Sequence, residues 1–247
     1  MIPRLAVRNK ESGKILQDKE GMVWLNPYEK ENWLYLVDIA KMAARAGFLE
    51  VQFDYVRFSA YNDKYADYGK LAQTTSKTEI IGQFFDFVMQ QLGPLKVKVS
   101  VDVFGCVIPD TLGEDTIKAA ARTGQNYKLI SEKVDIICPM IYPSHYRDGL
   151  MGIDRPDLEP YQVIYRVLQK AIEVKQQDNK SKAIIRPWLQ AFTASWLHVH
   201  SYQKYNNKQI DQQMQAAVDA GVNDWCFWNP AAKYIKCSVN YKGLRPH

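Results

Sequence analysis

The sequence has 247 residues, of which 47% are hydrophobic and 24% are charged, and its formal net charge is +5. These values are typical of a globular protein, and the length suits one large α/β domain, which we predict for residues 1–247. The basic residues form no run, so the charge gives little reason to expect nucleic-acid binding. No segment approaches the roughly 20 apolar residues of a membrane-spanning helix, and no signal-peptide pattern opens the sequence.

Short apolar runs recur along the sequence, with helical patterns between them. The runs predict β-strands at residues 2–7, 49–58, 96–105, 134–142, 182–192 and 224–229. The amphipathic helix candidates span residues 29–46, 77–92, 160–176 and 208–220. Gly47 and Gly221 follow two of these helices and are expected at their C-terminal caps. This alternation of strands and helices indicates a parallel sheet.

The four cysteines show no metal-ligand spacing, and three of them, Cys106, Cys138 and Cys226, lie in apolar runs where a free thiol behaves as a small hydrophobe. With Cys237 they predict neither a zinc site nor a disulfide framework. The His198-Val199-His200 pair has no carboxylate cluster beside it, so we expect no metal there. No cofactor is predicted.

The arrangement of polar residues favours a barrel over a doubly wound sheet. No GxGxxG or GxxxxGK motif follows any strand, so neither a dinucleotide site nor a P-loop is indicated. Polar residues cluster instead where strands end, which is where (β/α)8 barrels place their chemistry. We therefore predict a TIM (β/α)8-type barrel with six visible strand-helix units. The first two units would lie outside this sequence, or a partner chain or an unusual partial barrel would cover the open edges.

Several segments resemble the bacterial family of putative glycoside hydrolase domains, long catalogued as a domain of unknown function. The segments are WLNPYEKENWLY (24–35), EVQFDYVRF (50–58), GQNY (124–127), CPMIYPSHY (138–146), RPWLQAFT (186–193) and WCFWNP (225–230). The resemblance implies a TIM barrel distantly similar to the α-amylase-like glycosidases. It also implies two strands ahead of residues 2–7 and a carbohydrate substrate.

On this resemblance the catalytic groups are two aspartates. Asp54 matches the end of the fourth barrel strand, where α-amylase-like retaining glycosidases carry their nucleophile. The period-two pattern places Gln52 and Asp54 on one strand face, so Asp54 is expected to be buried and to point into the barrel. Arg57 is expected to keep that carboxylate ionised. Asp102, at the top of the fifth strand, is the expected general acid/base.

Both assignments have alternatives. Asp54 and Arg57 would otherwise form a structural pair that ties a loop to the barrel. The α-amylase pattern has glutamate where this sequence has Asp102, so the match departs from that pattern at this position. Asp110 and Glu114, in the following loop, are alternative acids, and Asp102 would then be a cap or loop residue.

Further polar and aromatic residues at strand ends are expected to contact the sugar. Aromatic faces stack on pyranose rings, while amide, imidazole and guanidinium groups bond sugar hydroxyls. The predicted contacts are Gln52, Arg57, Tyr142, His145, Trp188, Gln190, Trp228 and Asn229. Neighbours in sequence seldom face each other, and no G-x-S-x-G elbow surrounds Ser144, so a Ser144–His145 nucleophile is disfavoured.

The sequence therefore predicts an O-glycosidase that cleaves a bacterial polysaccharide or cell-envelope glycan by carboxylate acid/base catalysis. The alternative is a barrel that binds glycans, or serves as an envelope scaffold, without cleaving them. A phosphate-binding barrel enzyme is disfavoured, because no glycine-rich loop follows the last two strands. We expect an extracytoplasmic or cell-envelope location, with any export signal outside this sequence.

Overall fold

A computed structural model describes residues 3–59, 63–177 and 180–234. Its helices are α1 (Lys30–Arg45), α2 (Lys77–Leu92), α3 (Glu114–Thr123), α4 (Tyr127–Ser131), α5 (Pro160–Gln177) and α6 (Asn207–Asp219). Its strands are β1 (Arg8–Asn9), β2 (Glu50–Phe53), β3 (Ala66–Asp67), β4 (Lys98–Phe104), β5 (Ile136–Ile141), β6 (Ile184–Ile185), β7 (Trp188–Gln190) and β8 (Cys226–Trp228). Among these described helices, none is long and apolar enough to cross a bilayer.

The main sheet is parallel and has five strand positions in the described residues. Its order is β2-β4-β5-β7-β8, and β6 also pairs with β5. Because β6 and β7 pair with β5 in the same register, they are two parts of one strand, separated by Arg186 and Pro187. Pro187 has no backbone N–H to donate, which accounts for a gap in the ladder at this point.

The strand β4 shows how the sequence divides the two faces of the sheet. Val99, Val101 and Val103 are buried in the main hydrophobic core, where side chains of α1, α2 and α5 cover the sheet. Ser100 and Asp102 alternate with these valines and therefore point to the opposite, concave face. The polar side chains of the strands thus converge inside the curve of the sheet.

Arg186 demonstrates that curvature. Its guanidinium lies 2.6 Å from the Glu50 carboxylate of β2 and 2.6 Å from the Asp224 carboxylate just before β8. Because β4 and β5 separate β2 from β7 in the sheet, this contact requires the sheet to curl. The result is a parallel half-barrel with helices outside.

Loss of the Arg186 ion pairs is expected to destabilise the half-barrel. In Arg186→Met, Glu50 and Asp224 lose their shared cation, and we expect a fall of about 2 kcal/mol in the free energy of unfolding measured with urea. The matched control is Arg4→Met, since Arg4 also lies 2.6 Å from its partner Glu31 but both side chains are more than half exposed. That change should cost less than about 1 kcal/mol. Equal losses in the two variants would contradict the cross-barrel role.

The four predicted helices are confirmed by α1, α2, α5 and α6. Gly47 and Gly221 follow the caps of α1 and α6 at φ angles of 96° and 86°, a region that glycine adopts without the strain of a Cβ. The helix α2 begins at a capping box, in which Ser76 and Glu79 each bond the backbone amide of the other. The helices α3 and α4, with 10 and 5 residues, were not predicted because they are short.

The prediction that residues 2–7 form a barrel strand is wrong for the described residues 3–7. Pro3–Leu5 forms a 3-10 turn, and Ala6 bridges Leu25 in antiparallel fashion. The Asn9 side chain accepts the amides of Glu11 and Ser12 and closes a tight turn. This turn pairs Arg8 with Ile15 in antiparallel fashion, whereas a parallel partner requires a crossover of about a dozen residues or more. The segment therefore joins a small antiparallel layer with β1 and β3.

Candidate active site

A cavity of about 640 Å³ opens on the concave face, where the strands of the half-barrel end. It is lined by residues within or just after β2, β4, β5, β7 and β8, together with the last turn of α3. The lining includes Asp54, Tyr55, Arg57, Asp102, Phe104, Cys106, Arg122, Met140, Tyr142, His145, Tyr146, Trp188 and Trp228. The structure thus brings both predicted aspartates and five of the eight predicted sugar contacts to one cavity.

Asp102 is the buried carboxyl of this cavity. Its side chain is 6% exposed, and its Oδ1 accepts hydrogen bonds from Gln52 Nε2 at 2.9 Å and from Trp188 Nε1 at 2.8 Å. Burial raises the pKa of Asp102 to about 7, the Trp188 hydrogen bond opposes this rise, and the negative charge of Asp54 adds to it. A carboxyl with this pKa can hold a proton near neutral pH and release it to a substrate.

Asp54 lies directly after β2, at the end of the strand as predicted, but it is exposed. Its Oδ1 accepts the backbone amide of Tyr55 at 2.6 Å. Tyr55 has a φ angle of 56°, so the chain leaves the strand direction immediately after Asp54. The prediction of a buried Asp54 is therefore wrong. Because β2 lies at one end of the described sheet, Asp54 faces the open side of the half-barrel.

Arg57 is held by aromatic rings. Its guanidinium carbon lies 4.6 Å from the centre of the Trp24 ring, 5.0 Å from that of Tyr55 and 4.9 Å from that of Phe104. Cation–π contacts of this kind are worth about 0.5–1 kcal/mol each at exposed sites. The guanidinium therefore forms a fixed positive element in the cavity wall beside Asp54.

The far wall of the cavity is aromatic. Trp188 and Trp228 pack edge to face with ring centres 6.2 Å apart, and Trp228 remains 45% exposed. Tyr142 is 8% exposed, and burial is the main cause that raises its pKa above the ordinary value for a phenol. His145 packs edge to face on Tyr142 with ring centres 5.2 Å apart, and burial lowers the pKa of His145.

Three predicted sugar contacts have other roles in the structure. Gln190 is fully buried, and its amide is bonded to Ser144 and Asp157, so the prediction that Gln190 contacts sugar is wrong.

Asn229 donates to the carbonyl oxygens of Ala191 and Lys233 and so ties together the loop after β8. Gln52 directs its amide nitrogen at Asp102, which makes it a positioning residue for that carboxyl.

The sequence did not indicate Arg122 or Trp196. Arg122 lines the cavity, and Trp196, 63% exposed, lies 6.2 Å from the ring of His145. Trp196 could have been found as a tryptophan in the segment after β7, outside any predicted strand or helix. Arg122 closes a helix that was not predicted, so its approach to the site could not be foreseen.

Of the two alternative acids, the structure places Asp110 away from the cavity. Asp110 is exposed, has a φ angle of 61° and does not line the cavity. The side chain of Glu114 lies outside the part of the structure that is described, as does Cys237. Within the described residues, no group of three or more His, Cys, Asp or Glu side chains has an arrangement that could hold a metal ion.

The family described as "Putative glycosyl hydrolase domain" has a sequence profile that matches residues 2–234. The chain belongs to this family. The match covers every strand and helix described above and both candidate aspartates. The cavity with its two aspartates therefore lies within the matched region. Among curated protein sequences, none matches this glycosyl hydrolase domain significantly.

Solved structures share the fold of this glycosyl hydrolase domain. The PgaB (BpsB) glycoside hydrolase domain from Bordetella bronchiseptica gives a TM-score of 0.58 at 14% identity, covering 91% of this chain and 64% of that chain. A class V chitinase from Pseudomonas fluorescens Pf-5 gives 0.55 at 13% identity, with 86% and 71% covered. The spore cortex-lytic enzyme SleL from Bacillus cereus gives 0.54 at 14% identity, with 92% and 56% covered.

At these identities the likeness concerns the fold alone. The chain has the α/β fold of TIM-barrel glycosidases, represented here by a parallel half-barrel sheet. It spans 64% of the PgaB chain and 56% of the SleL chain.

Proposed function

We propose that the chain is the catalytic part of an O-glycosidase with Asp102 as general acid/base and Asp54 as nucleophile. One observation carries the proposal. A buried carboxyl with a pKa of about 7 and an exposed carboxyl line the same cavity, and the charge of the second raises the pKa of the first. Glycoside hydrolysis requires such a difference between two carboxyl groups, because one must donate a proton while the other is ionised.

The steps follow from the two environments. Protonated Asp102 donates its proton to the glycosidic oxygen as the bond to the anomeric carbon breaks, and the leaving sugar departs as an alcohol. The Asp54 carboxylate attacks the anomeric carbon from the opposite side and forms a glycosyl ester. Asp102, now ionised, takes a proton from water, and that water hydrolyses the ester. Gln52 and Trp188 hold the Asp102 carboxyl in place throughout.

The cavity walls support a carbohydrate ligand. Trp228 presents exposed ring surface, and Trp188 and Tyr142 lie beside it. Ring faces of this kind stack on the apolar faces of sugars, and the neighbouring phenol and imidazole groups can bond hydroxyls. We include in the proposal a bacterial polysaccharide or cell-envelope glycan as substrate and an extracytoplasmic location.

A glycan-hydrolysis screen across pH tests the proposal. We expect sugar release from at least one bacterial polysaccharide or envelope glycan, with kcat/KM falling as pH rises above about 7 because Asp102 loses its proton. The second candidate function is glycan binding without cleavage, which the exposed aromatic wall also supports. Glycans that bind tightly yet show no sugar release at any pH would favour that second function.

A further inference from the structure

A buried hydrogen-bond chain lies behind His145. It runs from Asp157 through Gln190 and Ser144 to the imidazole. Asp157 is 2% exposed, Gln190 is fully buried and Ser144 is 6% exposed, while His145 lines the catalytic cavity. Buried polar chains of this kind fix the direction of each hydrogen bond, because every group has few partners to choose from.

The orientation of the Gln190 amide is set by two backbone groups. The carbonyl oxygen of Phe192, 3.1 Å from Nε2, can only accept, and the amide of Ser144, 3.0 Å from Oε1, can only donate. Nε2 also donates to the Asp157 carboxylate at 2.9 Å. In a flipped amide, Nε2 would face the Ser144 N–H, donor against donor, and Oε1 would face the Phe192 carbonyl oxygen, acceptor against acceptor, so only one orientation satisfies the network.

This orientation determines where the Ser144 proton goes. Gln190 Oε1 can only accept, and Ser144 Oγ lies 2.8 Å from it, so the hydroxyl donates its single proton there. Ser144 Oγ also lies 3.0 Å from His145 Nδ1. Having used its proton, the hydroxyl can only accept from Nδ1, which must therefore carry a hydrogen.

We propose that Asp157, Gln190 and Ser144 are positioning residues that hold neutral His145 as the Nδ1–H tautomer. The Nε2 nitrogen is then a hydrogen-bond acceptor, and among the described residues it contacts no donor. Since Nδ1 is directed back to Ser144, the Nε2 edge of the ring is the one available to the cavity. His145 accordingly accepts a hydrogen bond from a substrate hydroxyl. A substrate that presents an acceptor at this point would meet a lone pair and be disfavoured.

Nitrogen-15 NMR of the ring nitrogens of His145, at a pH where the ring is neutral, tests the tautomer directly. His145→Gln identifies the signal. We expect Nδ1 with the chemical shift of a protonated ring nitrogen and Nε2 with that of an unprotonated one. The opposite tautomer in the wild-type protein would overturn the proposal, and the variant serves only to assign the signal.

Ser144→Ala tests the chain itself. Removing the acceptor at Nδ1 should change the tautomer populations of His145. Ser144→Thr keeps the hydroxyl and should show the wild-type populations. Ser181→Ala is the matched control, since Ser181 is also a buried serine, bonded to Ser131 Oγ at 3.0 Å and not to this network. An unchanged spectrum in Ser144→Ala, or the same change in Ser181→Ala, would contradict the positioning role.

The consequence for catalysis rests on the proposed glycosidase function. With a substrate from the screen, Ser144→Ala should raise KM on the order of tenfold, with a smaller change in kcat, because one hydrogen bond to the substrate is lost. If no glycan is cleaved, the NMR result still decides the tautomer. If glycans are cleaved but His145 is found with its hydrogen on Nε2, the proposed role of the hydrogen-bond chain fails and the glycosidase function stands.

Discussion

Asp102→Asn is expected to lower kcat/KM for an unactivated glycan by about 10²- to 10⁴-fold, the range for loss of a general acid. Asparagine keeps an oxygen that can accept from Gln52 and Trp188, so the fold should persist. The measurement is steady-state hydrolysis with wild type and variant, with thermal unfolding to verify folding. Asp110→Asn is the control, because Asp110 is one of the two alternative acids and lies outside the cavity. This variant should retain wild-type activity.

The leaving group distinguishes an acid from a structural residue. An aryl glycoside with a good leaving group needs little protonation. With this substrate, Asp102→Asn should therefore lower kcat/KM much less than with the unactivated glycan. Trp188→Phe provides a second readout: it removes a hydrogen bond that lowers the pKa of Asp102, so the alkaline limb of kcat/KM should move to higher pH. Equal losses on both substrate types, with no pH shift in Trp188→Phe, would rule out Asp102 as the acid.

Asp54→Asn is expected to reduce kcat on the order of 10³-fold or more, because an amide cannot form the glycosyl ester. The same change removes a negative charge that raises the pKa of Asp102, so that pKa should fall. Carbon-13 NMR of the Asp102 carboxyl in the variant would measure it. Hydrolysis rates with the screened substrate give the loss of activity.

Asp67→Asn is the matched control for Asp54. Asp67 is also exposed and also accepts one backbone amide, that of Gly69 at 2.8 Å, but it lies in β3 and not at the cavity. It should retain wild-type activity. A small external nucleophile such as azide should restore turnover to Asp54→Ala and yield a glycosyl azide. Full activity in Asp54→Asn would leave the nucleophile unassigned and would favour direct attack by water.

The sequence predicted those features of the fold that depend on local periodicity. The helices α1, α2, α5 and α6 have strong amphipathic patterns, and their bounds agree with prediction within a residue or two. The parallel sheet followed from their alternation with apolar runs. Residues 2–7 carry the same apolar pattern as a strand, yet the described residues 3–7 lead into a tight turn at Asn9, which periodicity does not register.

The sequence predicted which strand ends carry the site residues better than it predicted which of those side chains are buried. The sequence placed Asp102 and Trp188 at strand ends, and the structure joins them by a hydrogen bond. Whether a polar side chain at a strand end faces the cavity or the loops above it depends on distant segments. Gln190 ends its strand but is buried and bonded to Ser144, Asp157 and Phe192. Asp54 is exposed, and β2 is at the sheet edge.

The burial of Asp102 has a thermodynamic consequence for the whole molecule. Its pKa rises from 3.8 to about 7 on folding, so between these values the folded chain binds more protons than the unfolded chain, and stability falls as pH rises through this window. By pH 8 the ionised carboxyl costs about 4 kcal/mol. Asparagine would accept from Gln52 and Trp188 without this pH-dependent cost. In the proposed mechanism, the proton bound in this pH window is the one that Asp102 donates to the glycosidic oxygen.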